Sequence, residues 1–357
     1  MTLPIPCALE DIDPAWMSSA LNDSYPGIRV EGLEVLEVIN GSAAKIRFAV
    51  TSDVPSAPKS VLVKTAFTEG LGDDDLARSW LSVMALLNDT ECRFYRDVSA
   101  KMGDRCAVSY HTSSANIDSV IVMEDLSQRD RIRFSTFDKP LSPDDMASVL
   151  EALAALHALR WDDADLRARP LRDSTLAGGF LEGFLSETNW EQQMARPRAK
   201  RVPDELNDYA VATGAIRKAW AHKRLGAQSY IHGDPHVGNF FFDSKGGGLL
   251  DFQLFTSGHW ASDVVYAMGS SMEIEDRRRH EQDLLKHYLD QIGSRTGAAP
   301  AWDSAWFDYR KFAIWGFVAV LTPGDGIQSE EYNTVVAERQ AIAALDHDSI
   351  VLLQKAF

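Results

Sequence analysis

Apolar and polar positions change period along the chain, and the change divides it. In the amino-terminal part, short apolar runs of strand length recur at residues 34–39, 45–51, 60–66, 107–111 and 120–123. Such runs bounded by turn formers read as strands. Asn40-Gly41-Ser42 fills the first turn and Val54-Pro55-Ser56-Ala57-Pro58 the second. Asp13-Pro14 supplies an N-cap and a first-turn proline for a helix reaching Leu21, and a second helix is expected over 74–102. From Ser142-Pro143-Asp144-Asp145 onward the period becomes helical: a capping serine, a proline and first-turn acids start it. Met146, Val149, Leu150, Leu153, Leu156 and Leu159 then keep one apolar face as far as Arg160. Further helices are expected near 178–194, 204–224, 261–272, 276–292, 302–320 and 328–355. The pattern predicts an α+β protein with two lobes. A small amino-terminal lobe, 1–122, carries a five-stranded antiparallel sheet. A hinge at 123–127 leads to a larger, mainly helical carboxy-terminal lobe, 128–357.

One stretch interrupts the helical period. Tyr230-Ile231-His232-Gly233-Asp234-Pro235-His236-Val237-Gly238-Asn239 is followed by Leu249-Leu250-Asp251-Phe252-Gln253. Between them, Phe240 to Phe242 and Leu249 to Leu250 read as the arms of a hairpin whose turn is 243–248. Asp234 precedes Asn239 by five positions, and Asp251 follows Asn239 by twelve. That order is the one phosphoryl transfer from ATP requires, and the first interval is the spacing of the protein-kinase catalytic loop. Mg²⁺ takes oxygen ligands and keeps several waters, so Asn239 and Asp251 suffice as its protein ligands. Asp234 is then the base for an acceptor hydroxyl. The same residues also permit plainer readings. Asp and Asn favour turns. His232, Asp234 and His236 alternate like the ligands of a metal-dependent phosphoesterase, although a two-metal hydrolase needs further ligands, and the other histidines form no second cluster with carboxylates.

Lys64, in Val61-Leu62-Val63-Lys64, is costly inside an apolar strand unless its charge is paired. It is expected to reach the nucleotide phosphates, with Glu91 of the following helix as its partner. The alternative is a strand-edge lysine with its head in water and a solvated glutamate. Met123, Glu124 and Leu126 are hinge candidates for the adenine edge by position alone. Ser42 stands in for the glycines of a richer phosphate loop, since this turn holds only Gly41. Asp263 is expected to cap its helix or orient the catalytic loop, and His157 to be packed or superficial. The aromatic run Trp302, Trp306, Phe307, Tyr309, Phe312, Trp315, Phe317 reads as core, with an acceptor pocket as the alternative.

Composition narrows the classes. The 357 residues are 45% hydrophobic and 25% charged, with a formal net charge of −16. That charge argues against nucleic acid and membrane surfaces as partners, and a bound nucleotide must find local positive charge. Cys7, Cys92 and Cys106 make neither metal spacing nor a disulfide framework. The amino terminus lacks the basic and apolar regions of a leader, so the cytoplasm is the expected location. The sequence leaves oligomeric state open.

The run His232-Gly233-Asp234-Pro235-His236-Val237-Gly238-Asn239 resembles the signature of the aminoglycoside phosphotransferase and choline kinase superfamily. With Asp251-Phe252-Gln253, Ile121-Val122-Met123-Glu124-Asp125-Leu126 and Glu91-Cys92-Arg93-Phe94-Tyr95, it looks like the ecdysteroid kinase-like branch (CHK kinase-like). The resemblance runs from about residue 30 to 270. It implies a protein-kinase-like bilobal fold and ATP- and Mg²⁺-dependent phosphorylation of a small-molecule hydroxyl. By match to the motif, Asp234 takes the base position, Asn239 and Asp251 the magnesium positions, Lys64 and Glu91 the phosphate anchor, and His232 a scaffold role. The sparse glycine turn departs from the pattern of protein kinases. The branch suggests a hydrophobic acceptor, steroid-like or aromatic. A cationic acceptor of the aminoglycoside or choline type, and a nucleotide-binding protein without turnover, are the other readings.

Overall fold

Asp13 accepts a hydrogen bond from the Trp16 amide at 2.7 Å and so starts helix α1, Pro14–Leu21, where the sequence places it. The computed structural model describes residues 3–39, 44–65, 75–115, 118–172, 180–321 and 328–355. Gly41 and Ser42 lie outside the described residues. The chain divides into two compact units. One is 1–132 with Asp251–Gln253, the other 133–250 with 254–357.

The first unit is built on an antiparallel sheet of five strands: β1 Val30–Ile39, β2 Ala44–Ser52, β3 Ser60–Thr65, β4 Ser109–Ala115 and β5 Asp118–Glu124. Their order is β1-β2-β3-β5-β4. Alternation along each strand sorts the faces. Ile46, Phe48 and Val50 of β2, Val61 and Val63 of β3, and Val120 and Val122 of β5 form one buried cluster with Trp16, Met17 and Leu21 of α1. Burying each of these side chains stabilises by about 1.5–3 kcal/mol. Lys64 follows Val63 and therefore points to the opposite face, where helix α2, Asp75–Asp97, lies. The sequence predicts this helix to run on to 102. It stops at Asp97 because Val98 leaves helical geometry at φ −126°, and short 3₁₀ turns at Ser99–Lys101 and Gly103–Arg105 follow.

The second unit is mainly helical: α3 Pro143–Ala158, α4 Ala164–Ala168, α5 Phe180–Phe184, α6 Glu187–Met194, α7 Tyr209–His222, α8 Ala261–Ser271, α9 Ile274–Thr296, α10 Trp302–Phe312, α11 Glu330–Asp346 and α12 Ser349–Lys355. Ser142 caps α3 through the Asp145 amide, and Met146, Val149, Leu150, Leu153 and Leu156 are all buried. Several helices that the pattern runs together are broken. Ser186 caps α6 through Asn189, and Asp208 caps α7 through Val211, each inside a span expected as one helix. After Phe312 the chain tightens into a 3₁₀ segment, Ala313–Leu321, where Gly316 packs against the Gln340 amide. Asp348, in left-handed backbone at φ 50°, separates α11 from α12.

Two small sheets carry the loop of interest. β7 Gln228–Ile231 pairs with β10 Thr256–His259, a pairing absent from the sequence expectations. β8 Phe240–Asp243 pairs with β6 Arg133–Phe134 on one side and β9 Gly246–Leu249 on the other. The glycines expected in the turn are thus strand residues, and only Ser244 and Lys245 link the arms. Close packing explains this. A Cβ on Gly247 would lie 3.1 Å from the Ser148 backbone of α3, and one on Gly248 would collide with the Phe241 ring. No helix among the described residues is long and apolar enough to cross a membrane.

Candidate active site

Within the first unit, Lys64 Nζ lies 2.6 Å from Glu91 Oε2 and 3.4 Å from Asp251 Oδ1. Lys64 is 5% exposed and Glu91 2%, so neither is the solvated charge of the plainer reading. Burial alone would lower the lysine's pKa, but the Asp251 and Glu91 carboxylates outweigh it and hold the ammonium above its ordinary value. Three contacts tie the Asp251-Phe252-Gln253 segment to this unit, although the sequence places it with the carboxy-terminal lobe. Besides the Lys64 pair, Phe252 stacks on Phe94 at 3.5 Å between centroids, and Gln253 donates to Asn88 Oδ1 at 3.3 Å. Asp251 itself adopts φ 59°. Left-handed backbone at a residue with a Cβ is strained, and such strain concentrates at functional positions.

At the hinge candidates, Met123 and Leu126 are buried. The Glu124 amide donates to Val108 O at 2.8 Å, so it is already committed within the sheet. The Glu124 carboxylate is gripped by Arg129 through two bonds of 2.8 and 2.7 Å. Asp125 accepts from Ser60 Oγ at 2.7 Å and from the Ser127 amide at 3.0 Å, which fixes the turn that follows.

In the second unit the loop 232–239 is held from both ends. Asp263, near the start of α8, accepts from the amides of His232 at 2.6 Å and Gly233 at 3.1 Å. Of the two roles expected for Asp263, the structure gives it the orienting one. Burial pushes its carboxyl up, but His157, His232 and Lys223 more than offset this, and it sits below the ordinary carboxylate range. His157, fully buried, contacts Asp263 Oδ2 at 3.2 Å and the Tyr288 hydroxyl at 2.7 Å. Gly233 has φ 87°, and a Cβ there would collide with the Leu254 carbonyl.

His232 contacts Leu250 O at 2.8 Å through Nε2, and its Nδ1 accepts from the Asp234 amide at 3.3 Å. Both ring nitrogens are committed to backbone groups, one in the loop and one at Leu250. Among the described residues no group of three or more His, Cys, Asp or Glu side chains is placed to hold a metal ion. The Asn239 side-chain amide donates to Asp234 O at 2.9 Å through its nitrogen, so its Oδ1 is not used in that bond. The Asn239 carbonyl accepts from the Leu250 amide at 2.9 Å, and the next residue in the chain is Asp251. Asp234 is half-buried. The buried Tyr266 phenol is held well above its ordinary pKa by burial and then by the charge of the neighbouring Asp234 carboxylate.

A model of the phosphotransferase enzyme family (APH) matches residues 92–305. The chain belongs to that family. It is a phosphotransferase, and a solved choline kinase from Cryptosporidium parvum Iowa II shares its α+β, protein-kinase-like fold at 11% identity and a TM-score of 0.51, covering 96% of this chain and 95% of that one. It is also similar to an aminoglycoside phosphotransferase from Streptomyces rimosus ATCC10970, solved with ADP and streptomycin. That likeness is 14% identity and a TM-score of 0.46, over 88% of this chain and 100% of that one. No curated protein matches the phosphotransferase by sequence.

His157, expected to be packed or superficial, is packed and braces Asp263, while its partner Tyr288, and Tyr266 and Tyr332 beside the loop, were not singled out in the sequence. His157 and Tyr288 lie on helical faces that look like core. Tyr332, almost a hundred residues beyond the loop in the chain, places its hydroxyl 2.6 Å from His236 Nδ1. Nothing local marks any of them, because the contact is made only by the fold.

Proposed function

We propose that the phosphotransferase moves the γ-phosphate of ATP to the hydroxyl of a small-molecule alcohol. The acceptor oxygen bonds to the γ-phosphorus, its proton passes to the Asp234 carboxylate, and the bond to the β–γ bridging oxygen breaks with its electron pair leaving on ADP. The observation that carries the reading is the buried Lys64–Glu91–Asp251 arrangement. A buried ammonium that keeps its charge, next to a strained carboxylate, is what a phosphate anchor requires in a chain whose net charge is −16.

Lys64, oriented by Glu91, holds the α- and β-phosphates. Asn239 Oδ1 and the Asp251 carboxylate are the hard oxygen donors suited to Mg²⁺. When bound, that ion neutralises the charge developing on the β- and γ-phosphates. Met123, Glu124 and Leu126 line the adenine edge in this reading, the Glu124 amide excepted because Val108 already holds it. Ser42 completes the phosphate contacts. The two-lobe division with its hinge at 123–127 and a cytoplasmic location belong to the same reading.

The acceptor is a hydrophobic alcohol, steroid-like or aromatic, on the strength of the ecdysteroid kinase-like motifs. The aromatic run adds little to this choice. Tyr309, Phe312, Trp315 and Phe317 are buried in the core, while Phe307 is exposed.

The test is ADP release from Mg²⁺–ATP across a library of alcohols. Release with sterol-like or aromatic alcohols supports the reading in full. Release only with aminoglycosides or choline keeps the reaction and moves the acceptor class. Nucleotide binding by calorimetry with no release for any alcohol would identify a scaffold without turnover.

A further inference from the structure

We propose that His236, set by Tyr332, is the positioning residue for the Asp234 carboxylate, an inference that rests on the reading of Asp234 as the base. His236 is the N-cap of the 3₁₀ turn Val237–Asn239, and its Nδ1 accepts from the Gly238 amide at 2.9 Å. The Tyr332 hydroxyl lies 2.6 Å from the same nitrogen. A backbone amide can only donate, so Nδ1 must present its lone pair. The proton of the neutral ring is therefore on Nε2, and Nε2 lies 3.6 Å from Asp234 Oδ2.

The arrangement is rigid on every side. Pro235 fixes the backbone between Asp234 and His236. The His236 amide donates to Asp234 O at 2.9 Å, and the Asn239 amide to His236 O at 2.8 Å. Tyr332 is packed with Val237 and Val336, meets Phe137 edge-on at 5.6 Å, and has its own amide capped by Ser329 Oγ at 3.1 Å.

The carboxylate thus has two polar groups beside it, His236 Nε2–H at 3.6 Å and the Tyr266 hydroxyl. Both limit rotation of a group that must meet an acceptor hydroxyl in one geometry. His236 does not change protonation in the step. The proton from the acceptor goes to Asp234, and His236 holds the carboxylate that takes it. This role differs from capping alone, because Nδ1 serves the turn and Nε2 serves Asp234.

Two measurements separate this role from a structural one. In protein carrying ¹⁵N-histidine, the His236 signals are identified by their loss in His236→Gln. Long-range proton–nitrogen spectra should show the Nε2–H tautomer, and the Nε2 resonance should move in Asp234→Asn, where the carboxylate charge is gone. A proton on Nδ1, or a resonance indifferent to Asp234→Asn, overturns the inference.

The second measurement is turnover with Mg²⁺–ATP, using water and the alcohol library as acceptors. His236→Leu should lower kcat by about tenfold to a hundredfold with KM for ATP unchanged. His236→Gln, which keeps a donor near the Nε2 position, should recover part of it. Tyr332→Phe should lower kcat while preserving the packing of its ring. Full kcat in His236→Leu overturns the positioning role and leaves the base reading standing. Full kcat in Asp234→Asn removes the base reading, and this inference with it.

Discussion

A lysine between Val63 and Thr65 is tolerated in a packed strand only if a counter-charge is supplied, and the fold supplies two, Glu91 and Asp251. Lys64→Met should leave Glu91 buried without a partner. Breaking one side of a buried pair costs about 3–5 kcal/mol, so the urea midpoint should drop markedly. An unchanged midpoint would show an ammonium that water, not Glu91, satisfies. Asp251 makes a companion experiment possible. Asp251→Gly should relieve about 1–2 kcal/mol of left-handed strain but also remove one of the two counter-charges of Lys64, so the melting temperature should fall less than in Lys64→Met, while ADP release is lost. A variant as destabilised as Lys64→Met and fully active would remove the link between the strain and the site. The Lys64–Glu91 pair was legible because a lysine inside an apolar strand requires a counter-charge. The bracing contacts of His157, Tyr266, Tyr288 and Tyr332 were not, because a histidine or tyrosine on a helix looks the same whether it packs or holds a loop.

At the level of elements, strand alternation was legible from residue to residue: Val61 and Val63 face α1, and Lys64 faces the other side. Helix ends were less so. Ser186 and Asp208 carry cap chemistry inside apolar-periodic stretches, and periodicity alone ran through them. The glycines of β9 show the limit most clearly. A glycine triplet reads as a turn until α3 and the Phe241 ring are known to occupy the space where its side chains would be. Gly248→Ala should therefore destabilise by about 1–3 kcal/mol through overpacking, read as a lower denaturation midpoint. Were these residues a solvent-exposed turn, the same change would be neutral.

For the whole molecule, acid should be the weak point. Asp263, Glu281, Asp308 and Asp346 are each pushed up by burial, yet their partners hold all four below the ordinary carboxylate range. The partners are His157, His347 with Arg277, His259 with Lys311, and Arg278 with Arg277. A carboxyl whose folded pKa is depressed adds stability that is complete above its unfolded pKa and is lost as pH falls through the folded value. The melting temperature should hold down to about pH 5 and fall steeply below about pH 4. A rise on acidification from pH 5 to 3 would mean that relief of the net charge of −16 dominates instead. The two-part α+β organisation was readable from periodicity, and the family from one loop, whereas the motifs suggest only a class of acceptor and the surfaces that select it lie outside them. The most direct measurement follows the phosphate itself. With γ-³²P-labelled ATP, Mg²⁺ and the alcohol library, the account predicts label in a phosphate monoester of one alcohol class, abolished by Asp234→Asn while ATP still binds. Bound ATP with label transferred to no alcohol, or equal transfer by Asp234→Asn, would contradict it.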